Sequence, residues 1–145
     1  LFRPPRGASS GRVTAPSIHI VAAVLRNHAG CVLTVRKSGT SRFMLPGGKR
    51  EPGEDDLTAL ARELREELGI QIRVGPFIGR FHAPAANEPG RQVVGDIYMA
   101  STSETPAVGA EIAELLWISP QGPYPAALAP LLQFEVLPRL TDRNL

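Results

Sequence analysis

The segment Asp55–Leu68 (DDLTALARELREEL) constrains this chain more than any other stretch, because it satisfies two helical spacings at once. Leu57, Leu60, Ala61, Leu64 and Leu68 recur at i, i+3, i+4, i+7 and i+11. On a helix turning about 100° per residue they share one face, which must pack on an apolar surface. Glu63, Glu66 and Glu67 follow the same i, i+3, i+4 rule on another face, so their carboxylates converge. Like charges at that spacing destabilise an isolated helix, and the trio therefore needs a counter-charge. Gly69 ends the helix in the position where a left-handed glycine is favoured.

The flanks supply the surface. Ile18–Arg26 (IHIVAAVLR) and Cys31–Arg36 (CVLTVR) read as strands joined by the turn Asn27–Gly30, which suggests a hairpin. Phe43–Leu45 is a short apolar piece that bends at Pro46-Gly47-Gly48. Gln71–Arg80 and Gln92–Ala100 read as strands separated by the loop His82–Arg91, and Glu111–Ser119 ends in another. A second helix is expected over Ala126–Leu137. This order predicts an α/β (α+β) domain over residues 18–140, a mixed sheet with helices packed on it. Residues 1–17, with three arginines among Pro, Gly and Ser, read as a flexible basic tail, and 141–145 as a C-terminal tail.

A cluster of carboxylates suits a hard divalent cation. Mg²⁺ takes oxygen ligands and typically bridges one or two protein carboxylates to substrate phosphates. A zinc site would want histidine or cysteine, and His19, His28 and His82 are scattered along the chain. Arg62 stands one turn before Glu66, placed to brace it by an ion pair. Ahead of the helix, Pro46-Gly47-Gly48-Lys49 combines close-approaching backbone with a cation able to pair with a phosphate. Glu54 lies near the helix start, where the dipole favours an acid.

The whole segment resembles the Nudix box. That pattern runs glycine, five residues, glutamate, seven residues, Arg-Glu, an aliphatic, one residue, Glu-Glu, one residue, glycine and an aliphatic. Here it reads Gly48, Glu54, Arg62-Glu63-Leu64, Glu66-Glu67 and Gly69-Ile70, with every constrained position matched. The resemblance implies a Nudix-like α/β/α sandwich with a central mixed β-sheet. It also implies a Mg²⁺-dependent hydrolase, with Mn²⁺ as a substitute, that cleaves a phosphoanhydride in a nucleoside diphosphate linked to another group. Glu63, Glu66 and Glu67 would be metal ligands, Glu54 and Arg62 would support them, and Glu63 is the first choice for the general base within the box. Gly47, Gly48, Lys49 and Arg36 would meet the substrate. Family members often recruit one further acid, for which Glu111 and Glu114 are the candidates and Glu88 a weaker one. Arg42 is a second candidate for gripping phosphates.

Phe43, Phe81, His82 and Trp117 are candidates for stacking on a base, although aromatics in such strands are more often core, and Phe134 reads as packing. Among substrates, a nucleoside triphosphate is the first expectation, with ADP-ribose or a nucleotide sugar the alternative. The proline mark of ADP-ribose enzymes would fall at Ala86, whereas the prolines stand at 84 and 89. A nucleotide-sensing domain without catalysis is the competing class, and the intact glutamates argue against it. Sixteen basic against fourteen acidic residues leave no large positive excess, which speaks against a nucleic-acid polymer as partner. No apolar run reaches the ~20 residues of a membrane span, so a cytoplasmic setting is the default. The single cysteine, Cys31, reads as a small buried hydrophobe. A homodimer would be in keeping with the resemblance.

Overall fold

In the computed structural model, residues 17–141 are described, and the expected tails, apart from Ser17 and Thr141, lie outside them. Strand β1, Ile18–Leu25, is buried from Val21 to Leu25 on both faces, which is why its sequence is an unbroken apolar run. It sits inside a mixed sheet between β3, Gly47–Gly48, and β5, Gln92–Ser101. It runs parallel to β5 and antiparallel to β3. Strand β4, Arg73–Pro84, pairs antiparallel with β5 and completes the order β3-β1-β5-β4. Strands β2, Val32–Lys37, and β6, Ile112–Ile118, form a separate antiparallel pair.

The expected hairpin is therefore not one. Asn27 shapes the turn by accepting the N–H groups of Ala29 and Cys31 on its side-chain oxygen, but only Arg26 and Val32 pair across it. Beyond that bridge β1 and β2 diverge into different sheets, because each is apolar enough to be buried by other partners. Cys31, at the exit of the turn, is half-buried and not part of the core.

Helix α1, Asp56–Leu68, starts on an Asp55 cap that accepts the Thr58 N–H at 2.8 Å and ends at Gly69 with φ 68°. Leu60, Leu64 and Leu68 pack against Val21, Ala23 and Leu25 of β1, with Ala59 completing the contact. Leu57 departs from the expected stripe: it is 50% exposed, and Ala61 is half-buried. Ala59, fully buried, takes the inward position in place of Leu57. On the opposite face of the sheet, Ala22, Val24 and Ile97 meet a single helical stretch made of a π-turn, Leu131–Val136, and α2, Leu137–Leu140. This second helix begins five residues later than expected. Residues 127–129 remain extended because Phe43 donates to the Ala127 carbonyl and accepts from the Ala129 N–H. Phe134, expected to pack, is 64% exposed. Strand β4 runs on to Pro84, which shortens the loop that follows it.

One buried polar knot ties the helix to the sheet. Asp96 of β5, 2% exposed, accepts from Arg80 (2.8 and 3.0 Å), Arg50 (2.9 Å) and His19 Nε2 (3.1 Å). The Arg80 hydrogen bonds lower its pKa against the opposing effect of burial. Arg50 also holds Asp56 at the start of α1, and the Tyr98 hydroxyl donates to Asp56 at 2.6 Å. Removing the Asp96 carboxylate would leave Arg80 without its ion-pair partner and Arg50 with Asp56 alone. Asp96→Asn should lower stability by about 2–3 kcal/mol, read as a fall in urea midpoint at unchanged m-value.

Candidate active site

The helix, the Gly47–Lys49 turn and the sheet enclose a cleft of about 800 Å³. Its floor is the even-numbered face of β1, Ile18, Ile20 and Ala22, opposite Leu131 and Leu132. Register orients it: Ala22 pairs with Gly47, and Ile18 with Val93 next to the loop that follows β4. The glutamate stripe thus lies at the Ala22 end.

There Arg62 is the hub. Its Nε and Nη2 take the two oxygens of Glu54 at 2.7 and 2.8 Å, Nη1 reaches Glu63 at 3.1 Å and Glu66 at 3.2 Å, and Nη2 also donates to the Lys49 carbonyl at 3.0 Å. The planar fork of five N–H donors makes this possible where a lysine would not. Glu54 also accepts the Glu51 N–H, and the Arg62 hydrogen bonds hold its carboxyl down at about 2. Glu54 itself does not line the cleft.

The three glutamates of the stripe differ. Glu66 is half-exposed, Glu63 mostly covered, and Glu67 5% exposed. Glu67 accepts the Gly47 N–H at 3.2 Å and faces Lys37 Nζ at 3.7 Å. Burial pushes its carboxyl up to about 7, with Lys37 pulling the other way. Glycine is required at both turn positions: a Cβ on Gly48 would run into the Glu63 carboxylate, and one on Gly47 into β1. Among the described residues no three acidic, histidine or cysteine side chains meet around a common point. Arg62 holds two of the trio, and the backbone holds the third. The donor set, all carboxylate oxygen on one wall, fits a hard cation and not a soft one.

Of the further acids, Glu111 lines the cleft and Glu114 does not. The loop before β6 docks on the last turn of α1, where the Ala107, Gly109 and Ala110 N–H groups donate to the Leu68, Glu67 and Glu66 carbonyls. These are carbonyls a helix end leaves without partners. A Cβ on Gly109 would meet those carbonyls, so only glycine lets the loop come this close. Glu111 follows with φ 67°, an unfavourable backbone for a glutamate and one held by its surroundings. Glu114 instead pairs with Arg36 at 2.8 Å, and Arg36 Nη1 is bound to the Thr40 carbonyl, so both point away from the cleft. Arg42 donates to the Leu128 carbonyl. None of Phe43, Phe81, His82 and Trp117 lines the cleft; Phe43 and Phe81 are core. Lys37, which sequence reasoning passed over, does line it. Strand alternation is the missed signal, since Arg36 and Lys37 must face opposite ways.

The Nudix domain pattern matches residues 17–140. The chain belongs to the Nudix family. It is 32% identical over 121 residues to the CTP pyrophosphohydrolase of Escherichia coli, spanning 78% of this chain and 84% of that one. It is 30% identical over 123 residues to the 8-oxo-dGTP diphosphatase of Haemophilus influenzae, spanning 79% and 88%. The crystal structure of a MutT protein from Methanosarcina mazei superposes with TM-score 0.65 at 28% identity, over 76% of this chain and 82% of that one. The chain is a Nudix pyrophosphohydrolase acting on nucleotide phosphoanhydrides, of a family generally dependent on divalent metal. Among the described residues no helix is long and apolar enough to cross a membrane.

The raised Glu67 pKa has a measurable consequence. Because the folded value, about 7, lies above the ordinary 4.5, the group's contribution is most favourable at low pH and is lost as pH rises through 7. In chelator at pH 8, Glu67→Gln should be more stable than the parent by about 2–3 kcal/mol. Thermal melts should show the gain shrinking to nothing by pH 4.5.

Proposed function

We propose that the chain is a house-cleaning nucleoside triphosphate pyrophosphohydrolase, releasing a nucleoside monophosphate and pyrophosphate. The observation that carries this reading is the polarity of the cleft: acids and lysines gather at the Gly47 end, and the rest of the floor is apolar. Phosphates with their cation suit the first part and a nucleoside the second. Relatives named for CTP and for 8-oxo-dGTP support a triphosphate.

Glu63, Glu66 and Glu67, joined by Glu111, would hold Mg²⁺, with Mn²⁺ able to replace it. A cation bound there neutralises phosphate charge and acidifies water. Lys49 and Lys37 pair with phosphate oxygens, and Gly47-Gly48 keeps side chains out of the way. Glu63 accepts the proton of the attacking water on a carboxylate oxygen. Arg62, fixed by Glu54, holds Glu63 in position for that transfer. Arg36 and Glu114 take no part.

The test is pyrophosphate release from nucleoside triphosphates, ADP-ribose and nucleotide sugars, with Mg²⁺ and with chelator. Metal-dependent turnover of triphosphates is expected, and Glu63→Gln should lower kcat by about 10²–10⁴-fold. Arg62→Lys, which keeps the charge and loses the fork, should cost about 10–100-fold in kcat/KM. Turnover of ADP-ribose or sugars in preference would move the substrate class. Binding without turnover of anything would make the chain a sensor.

A further inference from the structure

Lys37 has a partner within the cleft before any phosphate arrives. Its backbone is fixed. The β2–β6 ladder pairs Arg36 with Glu114 and then Lys37 with Ile112, which leaves Ala113 as an extra residue on β6. The Lys37 carbonyl accepts the Thr40 N–H at 3.1 Å and the Thr40 hydroxyl at 2.8 Å. Next to it, the Ser38 N–H donates to the Glu111 carbonyl at 2.9 Å. From this anchored root a four-carbon stem carries the ammonium into the cleft, where Nζ stands 3.7 Å from Glu67 Oε2. The other oxygen of Glu67 accepts the Gly47 N–H at 3.2 Å.

The two cations that meet the glutamate stripe differ in kind. Arg62 is tied to Glu54 and to the Lys49 carbonyl as well as to Glu63 and Glu66, so its guanidinium stays in place. Lys37 is half-buried, and its ammonium sits at an ion-pair distance on a flexible stem. For Glu67 to take a divalent cation, that ammonium must give way or share the carboxylate. Positive charges a few ångström apart repel, and either course costs affinity, on the order of tenfold even under the screening of a protein surface. A phosphate oxygen in the cleft offers the ammonium a new partner and removes the cost. We propose that Lys37 is the internal counter-ion of the glutamate cluster: its ammonium competes with a divalent cation for Glu67 until substrate phosphate draws it away, so that metal and phosphate fill the cleft together. The inference rests on the cluster holding the cation and the cleft holding phosphates, as in the proposed function.

The test is a Mn²⁺ titration at pH 8, with the free ion counted by its paramagnetic resonance, so that no turnover is needed. Lys37→Met and Lys37→Gln remove the charge from a half-buried side chain. Both should bind Mn²⁺ about tenfold more tightly than the parent, whereas Lys37→Arg should bind it no more tightly. Lys49→Met, which removes the other cleft lysine, should move the affinity less. The second arm adds dCMP, a nucleoside monophosphate with no phosphoanhydride to lose. With it the parent should gain more Mn²⁺ affinity than Lys37→Met does, closing the gap between them. Equal or weaker Mn²⁺ binding by the two neutral variants overturns the proposal. A Lys49→Met effect of the same size, or a gap that dCMP leaves unchanged, also overturns it. The expected gap in a protein that hydrolyses no triphosphate would sink the hydrolase reading and leave the counter-ion standing. Hydrolysis with no gap would do the reverse.

Discussion

A stripe of glutamates on one helix repels itself, and the Arg62 guanidinium is the interaction that allows the helix to exist as folded. It spreads one delocalised charge over Glu54, Glu63 and Glu66 and still reaches the Lys49 carbonyl. Because that last bond goes to the backbone of the preceding turn, the same side chain fixes both the acids and the loop beside them. The loop is tied from its other side by Arg50, which spans Asp56 and the buried Asp96. Two arginines therefore hold one turn between a helix and a sheet, and the glycines at 47 and 48 let it lie close enough to do so.

The same helix organises the site from its other end. Its last carbonyls would be orphaned at Leu68, and the loop 107–110 satisfies them with three N–H groups. That capping is a structural need of any helix, yet here it also determines where Glu111 goes. A strained backbone at Glu111 is tolerable only because the loop is held on both sides, by α1 and by the Ser38 N–H on the Glu111 carbonyl.

Glu67 shows the cost of placing chemistry in such a pocket. Its carboxylate is buried beside Lys37 and Gly47 without full compensation, so the ionised form is held at the expense of stability. Burial without full compensation works against the charged form there, and selection for stability alone would not favour a glutamate at such a position. Tension of this kind is expected where a side chain is kept for a ligand and not for packing.

The box from Gly48 to Ile70 was legible in the amino-acid order, since the terminal glycine, most of the apolar stripe and the acid spacing are local and follow from 3.6 residues per turn. Local order also placed β1, β2, β5 and β6 to within about a residue, but it ended β4 four residues early and read β3 as a bend. It misjudged Leu57, Phe134 and the hairpin, because exposure and strand pairing depend on which distant segment arrives to cover a face. For the same reason Arg36 and Glu114 looked like site residues and Lys37 did not: a strand alternates faces, and only the pairing of β2 with β6 decides which face meets the cleft. The order of residues by itself determined that a helix would carry converging acids beside a glycine-lysine turn. Tertiary structure alone decided which further charges reach them, because a contact across dozens of residues depends on how the sheets and loops close, which no local spacing encodes.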